Sequence, residues 1–174
     1  MKPPVHSARW SVALLLSSLI ALGWTALETP PPRVVYNASD SVPIGWYLIS
    51  PAGSLVAGDL VLARLPGAVR VLAARRGYLP AGVPLLKTVA AVRGQRVCAQ
   101  DPEIRIDDRL VTQRLGQDRQ GRPLPAWQGC RRLQGTEVFL LSTSNPESFD
   151  SRYFGPISAS AVIGVAQPLW LEDR

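Results

Sequence analysis

Histidine occurs once in the 174 residues, as His6. That scarcity removes whole classes of chemistry, since a Ser-His-Asp triad, a Cys-His dyad and a His-based metal centre all need an imidazole beyond the N-terminal segment. Cysteine occurs twice, as Cys98 and Cys130, without the Cys-x-x-Cys spacing of zinc or redox sites. No metal and no cofactor are therefore expected. Lysine is nearly as rare: Lys2 and Lys87 stand against an arginine-rich background, with sixteen arginines from Arg33 to Arg174. Those arginines come in ones and twos, with no dense basic run and no interleaved aromatics. A net charge of +6 and a pI near 10.0 thus do not point to nucleic acid as a partner. A mildly basic surface facing anionic phospholipid head groups accounts for the charge as well. No internal repeat is present.

Charge is absent altogether between Trp10 and Leu27, an almost wholly apolar run at the short end of what spans a bilayer. Lys2, His6 and Arg9 precede it and Glu28 follows. The positive-inside rule then gives a cytoplasmic segment 1–9, a transmembrane anchor 10–27, a spacer 28–33 stiffened by Pro30, Pro31 and Pro32, and a domain 34–174 on the far side of the membrane. The same run would also serve as a cleaved signal peptide, with Ala21-Leu22-Gly23 as its small-residue site. On the far side of a membrane thiols are oxidised, so Cys98 and Cys130 are expected to form a disulfide that stabilises the fold by roughly 3–4 kcal/mol.

Short segments with strand character follow the spacer: 34–36, 46–49, 59–65, 85–92, 96–99, 103–106, 109–112, 137–141 and 161–165. The alternation in Ile104-Arg105-Ile106 and Leu110-Val111-Thr112, joined at Asp107-Asp108, predicts a hairpin. Only 68–78 reads as a helix, ended by Gly77 and Pro80. Between Arg114 and Arg132 the composition turns to Gly, Gln, Arg and Pro, which predicts a long surface loop that either lines a site or merely connects. The class is mainly β.

Lys87 sits in the apolar run Val83-Pro84-Leu85-Leu86-Lys87-Thr88-Val89-Ala90-Ala91-Val92. Loss of hydration there should lower its pKa and make a neutral amine available as a base, which arginine cannot supply. Ser41, on the Pro/Gly-punctuated segment Asn37-Ala38-Ser39-Asp40-Ser41-Val42-Pro43-Ile44-Gly45-Trp46-Tyr47, is the natural partner, and together they suggest a Ser-Lys hydrolase. The plainer alternatives are a turn serine and a snorkelling surface lysine.

Taken in order, that serine segment, Gly58-Asp59-Leu60-Val61, Lys87 to Gly94, and Ser148-Phe149-Asp150-Ser151-Arg152-Tyr153-Phe154-Gly155 resemble the type I signal (leader) peptidase family. The resemblance is to its TraF-like conjugal transfer branch in particular. It implies an antiparallel, signal-peptidase-like β domain behind an N-terminal transmembrane helix. It makes Ser41 the nucleophile, Lys87 the general base, and the Ser39 hydroxyl with the Ser41 backbone N–H the oxyanion donors. Ser148 would orient the lysine, and Asp150 and Arg152 would form a supporting salt bridge across a tight strand bend. Leu85, Leu86, Val89 and Val92 would wall the amine. The stretch Ser142-Thr143-Ser144-Asn145-Pro146-Glu147 departs from the Gly-Asp-Asn-Arg-Asp of ordinary signal peptidases, which favours the TraF-like branch.

The resulting expectation is a Ser-Lys endopeptidase of the bacterial inner membrane. It would process a small membrane-associated precursor such as the pilin of a conjugative apparatus, the acyl-enzyme being resolved either by water or by the precursor's own amine to give a cyclic product. A general signal peptidase is the alternative within the same chemistry, and a non-catalytic envelope component the alternative outside it.

Overall fold

Residues 5–27 and 32–172 are described by the computed structural model of the chain. Most of the predicted spacer and residues 1–4 of the predicted cytoplasmic segment lie outside them. Two units are distinguished, 1–32 and 33–174. In the first, the charge-free run forms α1 (Val5–Leu27), whose described side chains from Trp10 to Ile20 are exposed. Among the described residues no helix is long and apolar enough to cross a membrane.

The second unit is built on antiparallel strands. In chain order these are β1 (Val34–Asn37), β2 (Gly45–Ser50), β3 (Leu60–Ala63), β4 (Leu85–Ala91), β5 (Arg96–Gln100), β6 (Glu103–Ile106), β7 (Arg109–Gln113), β8 (Gly129–Arg132), β9 (Glu137–Leu141), β10 (Ile157–Ser158) and β11 (Val162–Leu171). The helices are α2 (Gly67–Arg75) and the single turn α3 (Ser151–Phe154). A seven-stranded sheet runs β1-β2-β11-β3-β4-β9-β10, and a four-stranded sheet runs β7-β6-β5-β8. The chain leaves the large sheet after β4, builds the small sheet, and returns as β9 directly beside β4, with Val89 opposite Leu140.

Alternation explains β2, where Tyr47 and Ile49 are buried and Trp46 and Leu48 face out. β4 lies between β3 and β9 and is covered on both faces, hence its near-continuous apolar run. The predicted hairpin forms, with Asp107 (φ 48°) and Asp108 (φ 65°) both left-handed as a type I′ turn requires. Three apolar clusters make the core: one around Val61, Leu85, Val89 and Leu140, one around Val97, Ile104 and Phe139, and one around Val42, Tyr47 and Leu86.

Three differences from the sequence expectation stand out. The expected loop up to Arg132 ends in a strand, β8, paired to β5 so that Cys130 lies opposite Cys98, and the two are joined by a disulfide. The last strand runs on to Leu171 rather than ending at Val165, passing Pro168 at the start of a bulge. Asp150 and Arg152 belong not to a strand bend but to the first turn of α3, where the Asp150 carboxylate caps the helix by accepting the Arg152 N–H.

Candidate active site

The segment between β1 and β2 is gathered chiefly around one side chain. Asn37, buried at the end of β1, donates through Nδ2 to the carbonyls of Ser39 (2.7 Å), Val42 (3.0 Å) and Pro43 (3.1 Å). Its Oδ1 accepts from the Ser39 N–H (3.2 Å) and the Ser39 hydroxyl (2.8 Å). Tyr47 adds a hydroxyl bond to the Pro43 carbonyl at 2.6 Å. Ser39 Oγ and Ser41 Oγ are 2.9 Å apart. An amide oxygen accepts only, so the Ser39 proton goes to Asn37 and it is Ser41 that donates to Ser39. At rest, then, Ser39 is an acceptor toward the nucleophile candidate. Its expected part as an oxyanion donor requires that hydroxyl to turn away from Asn37.

Lys87 lies in the middle of β4, opposite Val61 and 5% exposed. Side chains alternate along a strand, so Leu85 and Val89 share its face, whereas Leu86 belongs to a separate cluster with Val42 and Tyr47. Val92 lies beyond the strand end and packs against the first cluster. Of the four residues expected to wall the amine, Leu85 and Leu86 line the same cavity as Lys87, while Val89 and Val92 belong to the cluster that Leu85 shares. Burial pushes the Lys87 amine down to about 8; Asp150 and Asp40 oppose that and Arg152 adds to it. Ser39, Ser41, Lys87 and Ser148 line one cavity of about 900 Å³. Among the described residues no hydrogen bond joins Lys87 to Ser41 or Ser148.

Behind Ser148 stands a fully buried ion pair. Arg152 Nε and Nη2 meet Asp150 Oδ1 and Oδ2, both at 2.8 Å, and both side chains are 0% exposed. The guanidinium also donates to the carbonyls of Pro146 (2.7 Å), Asn145 (3.1 Å) and Ser148 (3.1 Å), while Asp150 Oδ2 accepts the Ser142 N–H at 2.9 Å. The pair therefore ties down the whole turn that carries Ser148. Gly155 closes this segment because its backbone is left-handed (φ 76°) and a Cβ there would meet the Trp127 indole at 2.7 Å.

The Arg114–Arg132 stretch contributes to the same cavity through Leu115, Asp118 and Leu124. Asp118 organises it: burial works against its charge, but hydrogen bonds from the Tyr78 hydroxyl, the Arg122 backbone and side chain, and the Gln120 N–H hold its carboxyl well below the usual carboxylate range. Arg76 reaches over to the Pro123 carbonyl at 2.7 Å. Of the two readings of this loop, the one in which it lines a site matches its position. Among the described residues no three His, Cys, Asp or Glu side chains converge as a metal would require.

Sequence reasoning gave no role to Ser142, Ser144 and Asn145. The hydroxyls of Ser142 and Ser144 both bond the Ser41 carbonyl, and Asn145 Nδ2 donates to Asp40 Oδ1 at 2.7 Å. The only sequence signal was that this stretch departs from the pattern of ordinary signal peptidases.

The family described as signal peptidase, peptidase S26, matches residues 7–171. Relatives include a plasmid transfer protein TraF of Escherichia coli, 35% identical over 144 residues, covering 76% of this chain and 80% of that protein. A probable conjugal transfer protein TraF of Sinorhizobium fredii is 37% identical over 141 residues, covering 75% and 73%. A conjugal transfer protein TraF of Agrobacterium tumefaciens is 37% identical over 144 residues, covering 77% and 80%. Among solved structures, a signal peptidase I from Enterococcus faecalis V583 aligns with a TM-score of 0.38 at 17% identity, covering 65% of this chain and 97% of that one.

Proposed function

The chain belongs to the signal peptidase family, peptidase S26, and from that premise we propose that it is a Ser-Lys endopeptidase with Ser41 as nucleophile and Lys87 as general base. The observation that carries this reading is the placement of a burial-depressed lysine and the Ser39–Ser41 hydroxyl pair in one cavity. A neutral amine takes the Ser41 proton as Oγ attacks the scissile carbonyl, and the charge that develops on the carbonyl oxygen is met by the Ser41 N–H and a re-aimed Ser39 hydroxyl. Lys87 then protonates the leaving amine, and water or a second amine resolves the acyl-enzyme. Ser148, over the same cavity, orients the lysine.

The names of the relatives favour a role in conjugal transfer over general removal of signal peptides. The substrate on this reading is a small membrane-associated precursor of pilin type. On the same reading the charge-free run from Trp10 to Leu27, preceded by Lys2 and Arg9, keeps the catalytic unit at the periplasmic face of the inner membrane. The test is co-expression of the full chain with the pilin precursor of its transfer system, read by the mass of the mature product. Ser41→Ala and Lys87→Arg should each abolish processing while the protein accumulates normally, because guanidinium never releases its proton at working pH. An active Lys87→Arg enzyme would overturn the general-base role. A product one water lighter than the cleaved peptide would mark cyclisation.

A further inference from the structure

Two peptide planes flank the nucleophile, and side chains about a hundred residues downstream hold both. The Ser142 hydroxyl donates to the Ser41 carbonyl. The Ser144 hydroxyl shares its proton between the carbonyls of Ser41 (3.2 Å) and Asp40 (3.3 Å). In a trans peptide the carbonyl of one residue and the N–H of the next point in opposite directions. Holding the Asp40 carbonyl against the Ser142–Ser144 turn therefore fixes the direction of the Ser41 N–H, and among the described residues that N–H donates to no protein acceptor.

Resting on the assignment of Ser41 as nucleophile, we infer that Ser142 and Ser144 are positioning residues that aim the Ser41 amide at the developing oxyanion. Neither touches the reacting atoms. Ser142 is itself fixed from three sides: its hydroxyl accepts the Asn145 N–H at 3.1 Å and donates to Ser41, while its own N–H is held by Asp150 at 2.9 Å. The buried Asp150–Arg152 pair is thus connected to the nucleophile backbone through one side chain and to the Ser148 carbonyl through another bond. One turn sets the register of the oxyanion donor and of Ser148 together. Asn145, by fixing the Asp40 carboxylate, keeps the same segment from rocking.

The test uses the full chain in detergent, a fluorogenic peptide spanning the processing junction that the mass of the mature product defines, and the boronic acid of that peptide, which forms a tetrahedral adduct with the nucleophile. Ser142→Ala and Ser144→Ala should each lower kcat about tenfold, and the double variant about a hundredfold, which approaches the loss of one oxyanion donor. KM and the pH midpoint of the rate should stay unchanged, and boronate affinity should fall in proportion to kcat. Ser142→Thr, which keeps the hydroxyl, should recover most of the rate. Thr143→Ala, exposed between the two, should behave as the parent. Ser144 is itself exposed, so its variant does not depend on core packing.

A double variant with full kcat would overturn the inference. So would one whose kcat falls while boronate affinity is kept, or whose pH midpoint moves, since either would route the effect through Lys87. Ser41→Ala separates the two levels. If it remains active, the nucleophile assignment itself fails; if it is inactive while the serine double variant is fully active, only the positioning role fails.

Discussion

Replacing Lys87 by methionine separates the cost of burying an amine from the use made of it. On β4 the side chain is 5% exposed, and burial lowers its pKa from 10.5 to about 8. A change of that size weighs roughly 3 kcal/mol against the charged form. The unfolded chain keeps the ordinary value, so between about pH 8 and 10.5 the unfolded state holds a proton that the folded state has released, and stability rises with pH through that window. Below about pH 8 both states are charged and the folded protein carries the whole penalty. Methionine keeps an unbranched stem without the charge, so Lys87→Met should exceed the parent by about 2–3 kcal/mol at pH 6, with the excess shrinking toward zero near pH 10.5. Urea unfolding followed by tryptophan fluorescence at several pH values measures this.

The same ionisation should govern the rate. About one tenth of the amines are neutral at pH 7 and half at pH 8, against roughly 3 in 10,000 at pH 7 for an ordinary lysine. Single-turnover cleavage should therefore climb about tenfold per pH unit below the midpoint and level off above it. A methionine variant no more stable than the parent at pH 6, or a rate midpoint near the ordinary lysine value, refutes the burial argument.

Exchanging both cysteines for serine opens a loop with a sequence separation of 32 and should cost about 4 kcal/mol on the chain-entropy model, read as a lower urea midpoint. Arg152→Met leaves Asp150 buried without its partner and should cost about 3–5 kcal/mol, seen as a fall in Tm. Adding Asp150→Asn to that variant should recover part of the loss; no recovery would show that the carboxylate was not the stranded group.

The strands that a reader of the sequence finds are those whose own residues carry the signal. β2 alternates, β4 is a continuous apolar run, and the Asp107-Asp108 turn announces its hairpin. β8 has four exposed residues and no alternation, and exists through its pairing with β5. The strand expected over 161–165 runs on past Pro168, which sits where β11 bulges, a place that tolerates a missing donor. α3 is four residues long and owes its turn to the Asp150 cap, which no helical period could reveal. The chemistry divides the same way. As candidates, Lys87 and Ser41 stand out in the sequence because a lone lysine in an apolar run is a local anomaly, whereas Ser142 and Ser144 meet the Ser41 segment only through contacts about a hundred positions away.

Because the chain leaves the large sheet at β4 and re-enters it at the neighbouring β9, everything from β5 to β8 is an excursion whose two ends lie side by side. The strand that carries Lys87 and the one beside α3 pair directly with each other, although Arg152 and Gly155 also meet Gln113 and Trp127 of the excursion. Its interior, though, supplies Leu115, Asp118 and Leu124 to the cavity wall. A change in the length or charge of that one insert would therefore reshape the cavity wall, while Ser41 and Lys87 keep their places on the large sheet and its turns.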